Sequence, residues 1–174
     1  EKACGDAGVT NRVLRESGDS AERLLADWRY HDLTVIGLRG LFEYGVLHDH
    51  GHLVLDVVGA GLRPLLAVSE EHRPINTAMV AYDGSPLAAR AMKAYCMLGI
   101  WKPMPTTVTC FLGQDGDANE LLSGAAEYLE SHTYPTTKKR VEEKPRNAIL
   151  KTMESVNADL LVMGAAKRTR LGRK

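Results

Sequence analysis

With 174 residues, 44% of them hydrophobic and 25% charged, the chain has the composition of a soluble globular protein of one ordinary domain or two small ones. Lys and Arg number 22 and Asp and Glu 22, so no global charge argues for nucleic acid or an acidic membrane surface, and no apolar run is long enough to span a bilayer. Cys4, Cys96 and Cys110 form an odd set without CxxC spacing, which points to reduced thiols in a cytoplasmic protein, and the opening "EKACGDAG" lacks the apolar core of a signal peptide.

In chain order, residues 10–16 (TNRVLRE) predict a short strand. Asp19 and Glu22 have capping-box spacing ahead of a helix whose Ala21, Leu24, Leu25 and Trp28 share one face. Residues 33–37 (LTVIG), nearly all apolar and closed by Gly, predict a buried parallel strand. After a loop rich in Gly and His, residues 53–58 suit a helix ended by Gly59 and Gly61, and residues 64–68 suit another strand. The pattern then restarts. "TAMVAYDGSP" reads as strand, tight turn and helix start, with Ser85 as cap and Pro86 in the first turn. Leu87, Ala91, Tyr95 and Leu98 make the helical stripe, and Gly99 ends it. Residues 106–112 (TTVTCFL) form a β-branched strand, "GQDGD" a loop, and Leu121, Leu122, Ala125 and Leu129 mark a second helix. "TTKKRVEE" reads as an exposed strand, Pro145 opens a helix carrying Ala148, Ile149, Met153 and Val156, and residues 160–164 (LLVMG) are the last buried strand. Strands alternating with helices predict an α/β fold with a parallel sheet and right-handed crossovers.

Two stretches nearly repeat: "DLTVIGLRG" from Asp32 and "DLLVMGAAK" from Asp159, each led by an amphipathic helix. Their separation is on the scale of a domain, which implies duplication rather than a solenoid. The longer segments "AERLLADWRYHDLTVIGLRG" and "AILKTMESVNADLLVMGAAK", together with "MVAYDGSPLAARAMKAY" at 79–95, resemble the universal stress protein family in its tandem two-repeat form. The resemblance implies a doubly wound, Rossmann-like parallel five-stranded sheet of order 3-2-1-4-5. It assigns residues 1–72 to the later part of one repeat (strand 3 to strand 5) and residues 73–174 to strands 1 through 4 of a second. Strands 3 and 4 do not touch in that order, so residues 1–68 cannot make a continuous sheet alone, and a longer tandem chain is expected. An internal pseudo-dimer of repeats, and further pairing as a homodimer, follow from the same resemblance.

Asp83 falls at the carboxyl end of a strand, where doubly wound sheets bind ligands, and a carboxylate there can accept hydrogen bonds from a ribose or an adenine edge; it can equally close an Asx-turn across "DGSP". The resemblance makes ATP or AMP, with Mg, the candidate ligand. Asp83 and the strand end at Ala81 would hold the nucleoside, Leu112 and Gly113 would border the base, Met163 and Gly164 would line the pocket, and Lys167, Arg168 and Arg170 would face phosphates. Nucleotide-binding members carry Gly-x2-Gly-x9-Gly-Ser/Thr. Here Gly164 matches but Lys167 replaces the second Gly, whereas the first repeat keeps Gly37 and Gly40 yet has His52 at the Ser/Thr position and Phe42, Glu43, Tyr44 and Asp49 between. That first copy reads as degenerate.

The run "HDHGH" places His48, His50 and His52 in alternation, a pattern imidazole-binding metals could use, but Gly51 favours a turn and a polar loop is the simpler reading, so no metal site is assigned. There is no Walker A motif, and Ser85 lacks a full nucleophile elbow; no catalytic residue is assigned, and any ATPase activity would be weak. Tyr82, Trp101 and Met104 could form an apolar contact surface, with ordinary packing the preferred reading. The expectation is a non-catalytic, cytoplasmic stress-response regulator that binds adenine nucleotide in its second repeat. The alternatives are a nucleotide-free protein-interaction module and, more remotely, a metal-responsive one.

Overall fold

Among the described residues two parallel sheets carry the structure, and the larger is wound in two directions. The computed structural model describes residues 2–15, 17, 23, 26–37, 63–111 and 118–165. A short helix, α1 (Lys2–Asp6), comes first, and residues 26–28 are helical. Strands β1 (Thr34–Gly37) and β2 (Leu65–Val68) pair in parallel, Thr34 opposite Leu65 and Gly37 opposite Val68. The larger sheet contains β3 (Ala78–Ala81), β4 (Thr106–Phe111), β5 (Thr136–Val141) and β6 (Leu160–Met163) in the order β5-β4-β3-β6, all parallel. Helices α2 (Pro86–Leu98), α3 (Ala118–Ser131) and α4 (Pro145–Ser155) connect them in turn.

That order explains the layers. The chain steps from β3 to β4 to β5 in one direction and then returns past both to β6. Crossovers of one hand therefore put α2 and α3 on one face and α4 on the other. The packing agrees. Met92, Tyr95 and Cys96 of α2 and Leu122, Ala125, Ala126 and Leu129 of α3 cluster with Ala78, Val80, Val108, Cys110 and Leu160, whereas Ala148 of α4 meets Met79 and Phe111. Alternate residues of β3 and β4 thus serve opposite faces, as the two-residue period of a strand requires. β5-β4-β3-β6 is the 3-2-1-4 portion of the expected order.

The ends of α2 are set locally. The Ser85 hydroxyl accepts from the Ala88 N–H at 3.2 Å, Pro86 supplies a helical φ without a donor to satisfy, and Gly99 leaves the helix with φ 62°. Below it lies a buried polar and aromatic cluster. The Tyr95 hydroxyl lies 3.0 Å from the Thr106 hydroxyl, which donates to the Met104 carbonyl, and the Tyr95 and Tyr134 rings are 4.6 Å apart. Burial pushes the Tyr95 hydroxyl up to about 12 and the Cys96 thiol up to about 11, so both are neutral at physiological pH and Cys96 is a poor nucleophile. Met104 is buried, and Trp101 and Tyr82 pack against the same core, so this trio is packing rather than a contact surface.

Four expectations need correction. Residues 10–15 form no strand; Val9, Val13 and Leu14 are exposed, and an extended segment without a ladder partner gains nothing to offset its ordering. The strand at 34–37 is parallel but not buried: Val35 is 57% exposed, because among the described residues β1 has only β2 beside it. β6 is likewise half covered, with Met163 48% exposed. The core-facing stripe of α2 is Ala88, Met92, Tyr95 and Cys96, so only Tyr95 of the expected stripe is buried. The helix predicted over 53–58 lies outside the described residues, as do Asp19, Ala21, Glu22, Leu24 and Leu25. Trp28 is buried, and its indole N–H has no hydrogen-bond partner among the described residues.

Candidate functional site

The mouth of the larger sheet opens where its winding reverses, between the carboxyl ends of β3 and β6. Met163, Ala81, Thr109 and Lys139 stand in register across the four strands, so Ala81 and Met163, both assigned to the site, are direct neighbours. The Tyr82 N–H donates to the Thr109 carbonyl at 2.9 Å, continuing the ladder one residue past β3 and fixing where Asp83 begins. Gly84 then turns the chain with φ 74°, a left-handed conformation that costs Gly little. The Ser85 N–H donates to Asp83 Oδ1 at 2.9 Å. Asp83 therefore closes an Asx-turn and also stands exposed at the mouth, its second carboxylate oxygen without a partner among the described residues. The Asx-turn reading of this residue is the one observed, and it leaves the second oxygen exposed.

Gly164 sits against the other wall of the mouth. A Cβ there would lie 2.6 Å from the Ala88 nitrogen, 2.6 Å from the Leu87 carbonyl carbon and 2.9 Å from the Leu87 oxygen. Backbone meets backbone at this point, so the end of β6 rests on the first turn of α2, beside the turn that carries Asp83. Around Gly37, its counterpart in the near-repeat, none of the described residues comes within 4 Å of where a Cβ would stand. The two glycines of the repeated motif are thus under different constraints.

Among the described residues the charged and polar groups of the mouth are few. Burial first, and then the nearby Asp83 charge, push the Cys110 thiol up. The Thr109 hydroxyl is buried without a hydrogen-bond partner among the described residues. Among the expected site residues, Ala81, Asp83, Met163 and Gly164 are brought together here, and Gly37 stands apart on β1. Gly40, Leu112, Gly113, Lys167, Arg168 and Arg170 lie outside the described residues, as does the His48–His52 loop. Among the described residues no cluster of His, Cys, Asp and Glu could hold a metal ion, and no helix is long and apolar enough to cross a membrane.

One residue of the repeated motif has a role its sequence did not suggest. Asp159 accepts from the Asn76 N–H at 2.9 Å, the Thr77 N–H at 3.1 Å and the Thr77 hydroxyl at 3.3 Å, and the Thr77 hydroxyl also donates to the Asn157 carbonyl. The amide bonds, that from Asn76 foremost, hold its carboxyl below the usual carboxylate range. Asp159 ties the amino ends of β6 and β3 together, at the end of the sheet opposite the mouth.

A sheet of this order, wound this way and with an Asp-Gly-Ser turn at its reversal, narrows the comparison. Residues 106–174 match the universal stress protein family. Among solved structures, a universal stress protein from Archaeoglobus fulgidus DSM 4304 superposes with a TM-score of 0.68 at 19% identity, over 92% of this chain and 60% of that one. The chain therefore has the universal-stress-protein fold and spans 60% of the length of that relative. A protein of Mycobacterium tuberculosis H37Rv aligns at 23% identity over 59% of this chain and 82% of that one, with a TM-score of 0.48. A universal stress protein in complex with cAMP aligns at 17% identity over 52% of this chain and 77% of that one, with a TM-score of 0.44. No curated protein matches the chain.

Proposed function

We propose that this chain is a stress-response module that binds an adenine nucleotide at the mouth formed by Ala81, Asp83, Met163 and Gly164. The observation that carries the reading is Asp83: it stands at the reversal of the winding, held by the Ser85 amide through one oxygen, with the other oxygen available to accept from a ribose or an adenine edge. The universal-stress-protein match over residues 106–174 supports the stress-response assignment. In this reading Leu112 and Gly113 border the base, Lys167, Arg168 and Arg170 neutralise phosphates, with Mg as counter-ion, and Gly37 and Gly40 belong to a degenerate first copy. Residues 1–72 and 73–174 are then two tandem repeats packed as a pseudo-dimer in a cytoplasmic, homodimeric protein. The role is regulatory rather than catalytic.

The rival reading, a nucleotide-free interaction module, draws on one specific observation. Both signature residues have a structural reason to be where they are: Asp83 closes a turn and Gly164 admits α2.

Denaturing the purified protein and assaying the supernatant for AMP, ADP or ATP separates the two. So does the melting shift with ATP and magnesium. Saturation at a hundred times Kd adds about 2.7 kcal/mol, a rise of about 5–10 °C for a chain of this size. Asp83→Ala should abolish that rise. No released nucleotide, no shift, and an Asp83→Ala protein indistinguishable from the parent would defeat the nucleotide reading.

A further inference from the structure

Among the described residues, Leu121 of α3 belongs to neither core cluster. The inward face of that helix is Leu122, Ala125, Ala126 and Leu129, and Ala118 packs against the same core. Leu121 is half-buried and lies instead on the turn that carries Asp83. A Cβ on Gly84 would stand 2.8 Å from Leu121 Cδ2, 3.4 Å from Cδ1 and 3.7 Å from Cγ, so the end of the leucine fills the space over the glycine. Gly84, at φ 74°, has no side chain of its own to hold it in that conformation. The hydrogen bond across the turn, from the Ser85 N–H to Asp83 Oδ1, is exposed, and a bond of that kind competes with water.

We propose that Leu121 is a positioning residue of the mouth: laid over Gly84, its side chain holds the Asp83 turn so that the second carboxylate oxygen stays presented to the nucleotide. The proposal rests on the nucleotide reading above and adds to it a residue that acts through Gly84. Two effects follow from the contact. Leu121 limits the conformations open to Gly84, and its methyl groups keep water from one side of the turn. Both fix the Asp83 carboxylate before the ligand arrives, which leaves less ordering for binding to supply. The turn is thus held from two directions, by α3 through Leu121 and by β6, whose Gly164 rests on the first turn of α2. Without the leucine, ordering the one freed glycine on binding corresponds to about a tenfold loss of affinity.

The test reads the turn and the ligand separately, on the full chain labelled with nitrogen-15. In Leu121→Ala the Ser85 amide should exchange with solvent about tenfold faster than in the parent, while the Val80 and Leu129 amides of the core keep their protection. The Kd for ATP with magnesium should rise about tenfold in the same variant. Leu121→Met, which conserves volume, should restore both values. Leu121→Val is the smaller cut and should shift both in the same direction, which keeps the test open should the alanine variant not fold. Parental Ser85 exchange in Leu121→Ala overturns the proposal, even with a raised Kd, because the leucine would then act on the ligand directly. A loosened Ser85 amide with a parental Kd overturns it too, and leaves the nucleotide reading standing. A parent that binds no ATP overturns the nucleotide reading and the proposal with it.

Discussion

Replacing Gly164 by alanine places a methyl carbon 2.6 Å from both the Ala88 nitrogen and the Leu87 carbonyl carbon. Carbon atoms in ordinary contact sit about 3.5–4.0 Å apart, so β6 and the first turn of α2 must separate by about 1 Å. The obstructing atoms are backbone, and no rotamer change relieves them. Overpacking of this kind costs about 1–3 kcal/mol. The same displacement strains the Ser85 cap, whose bond to the Ala88 N–H is already 3.2 Å, and the cost should fall in the upper half of that range. For a chain of this length each kcal/mol lowers Tm by about 2–4 °C, so Gly164→Ala should melt about 4–12 °C below the parent. The assay is urea denaturation followed by far-ultraviolet circular dichroism, with the melting scan beside it. Gly37→Ala is the internal control: among the described residues its added methyl meets nothing within 4 Å, and Ala in a strand is generally favoured over Gly. Equal losses at both positions, or an unchanged Gly164→Ala midpoint, would refute the contact between β6 and α2.

Ser85→Ala removes the cap of α2 and should cost about 1 kcal/mol, read as a lowered urea midpoint with unchanged slope. Asp159→Ala deletes the acceptor of the Asn76 and Thr77 amides, with a cost of about 1–2 kcal/mol at neutral pH. Because the folded-state pKa of Asp159 is depressed, its contribution is present above the unfolded value, near 4, and is lost as pH falls through the folded one. The parent and Asp159→Ala should therefore converge in stability in strong acid, which an acid titration of the two denaturation midpoints will show. At alkaline pH the sign reverses. Tyr95 and Cys96 have raised pKa values, about 12 and about 11, so their contribution is complete below the unfolded values and fades as pH rises from about 9 to about 12. Tyr95→Phe should flatten the upper part of that alkaline decline.

The larger sheet was readable from sequence because its elements are locally marked: β-branched "TTVTCF", Pro-led helices and the "DGSP" turn each carry their own signal. What failed was tertiary in origin. α2 has two adjacent apolar stripes, and only its exit angle from the Asp83 turn decides that Ala88, Met92 and Cys96 face the sheet rather than Leu87, Ala91 and Leu98. The half-exposure of β1 and β6 depends on what stands beside them, which no strand's own pattern records. Residues 10–15 have strand-like composition but no ladder partner among the described residues. In the candidate site, the Asx-turn at Asp83 was legible because it is local. The clamp at Asp159 was missed because Asn76 and Thr77 lie more than eighty residues upstream. Gly164 was singled out for a ligand reason when a steric one also exists.

The β3–β6 pairing has a consequence for the order of folding. Its closing contacts span 82 and 83 residues, whereas β3 and β4 are joined through α2 alone, and β4 and β5 through α3. Loop-closure entropy favours the short connections, so β3, β4 and β5 can assemble before β6 arrives. The step that seats β6 between Asn76–Thr77 at one end and the first turn of α2 at the other then completes the mouth. In that order Asp83, set by its own three-residue turn, would precede the wall that β6 supplies opposite it.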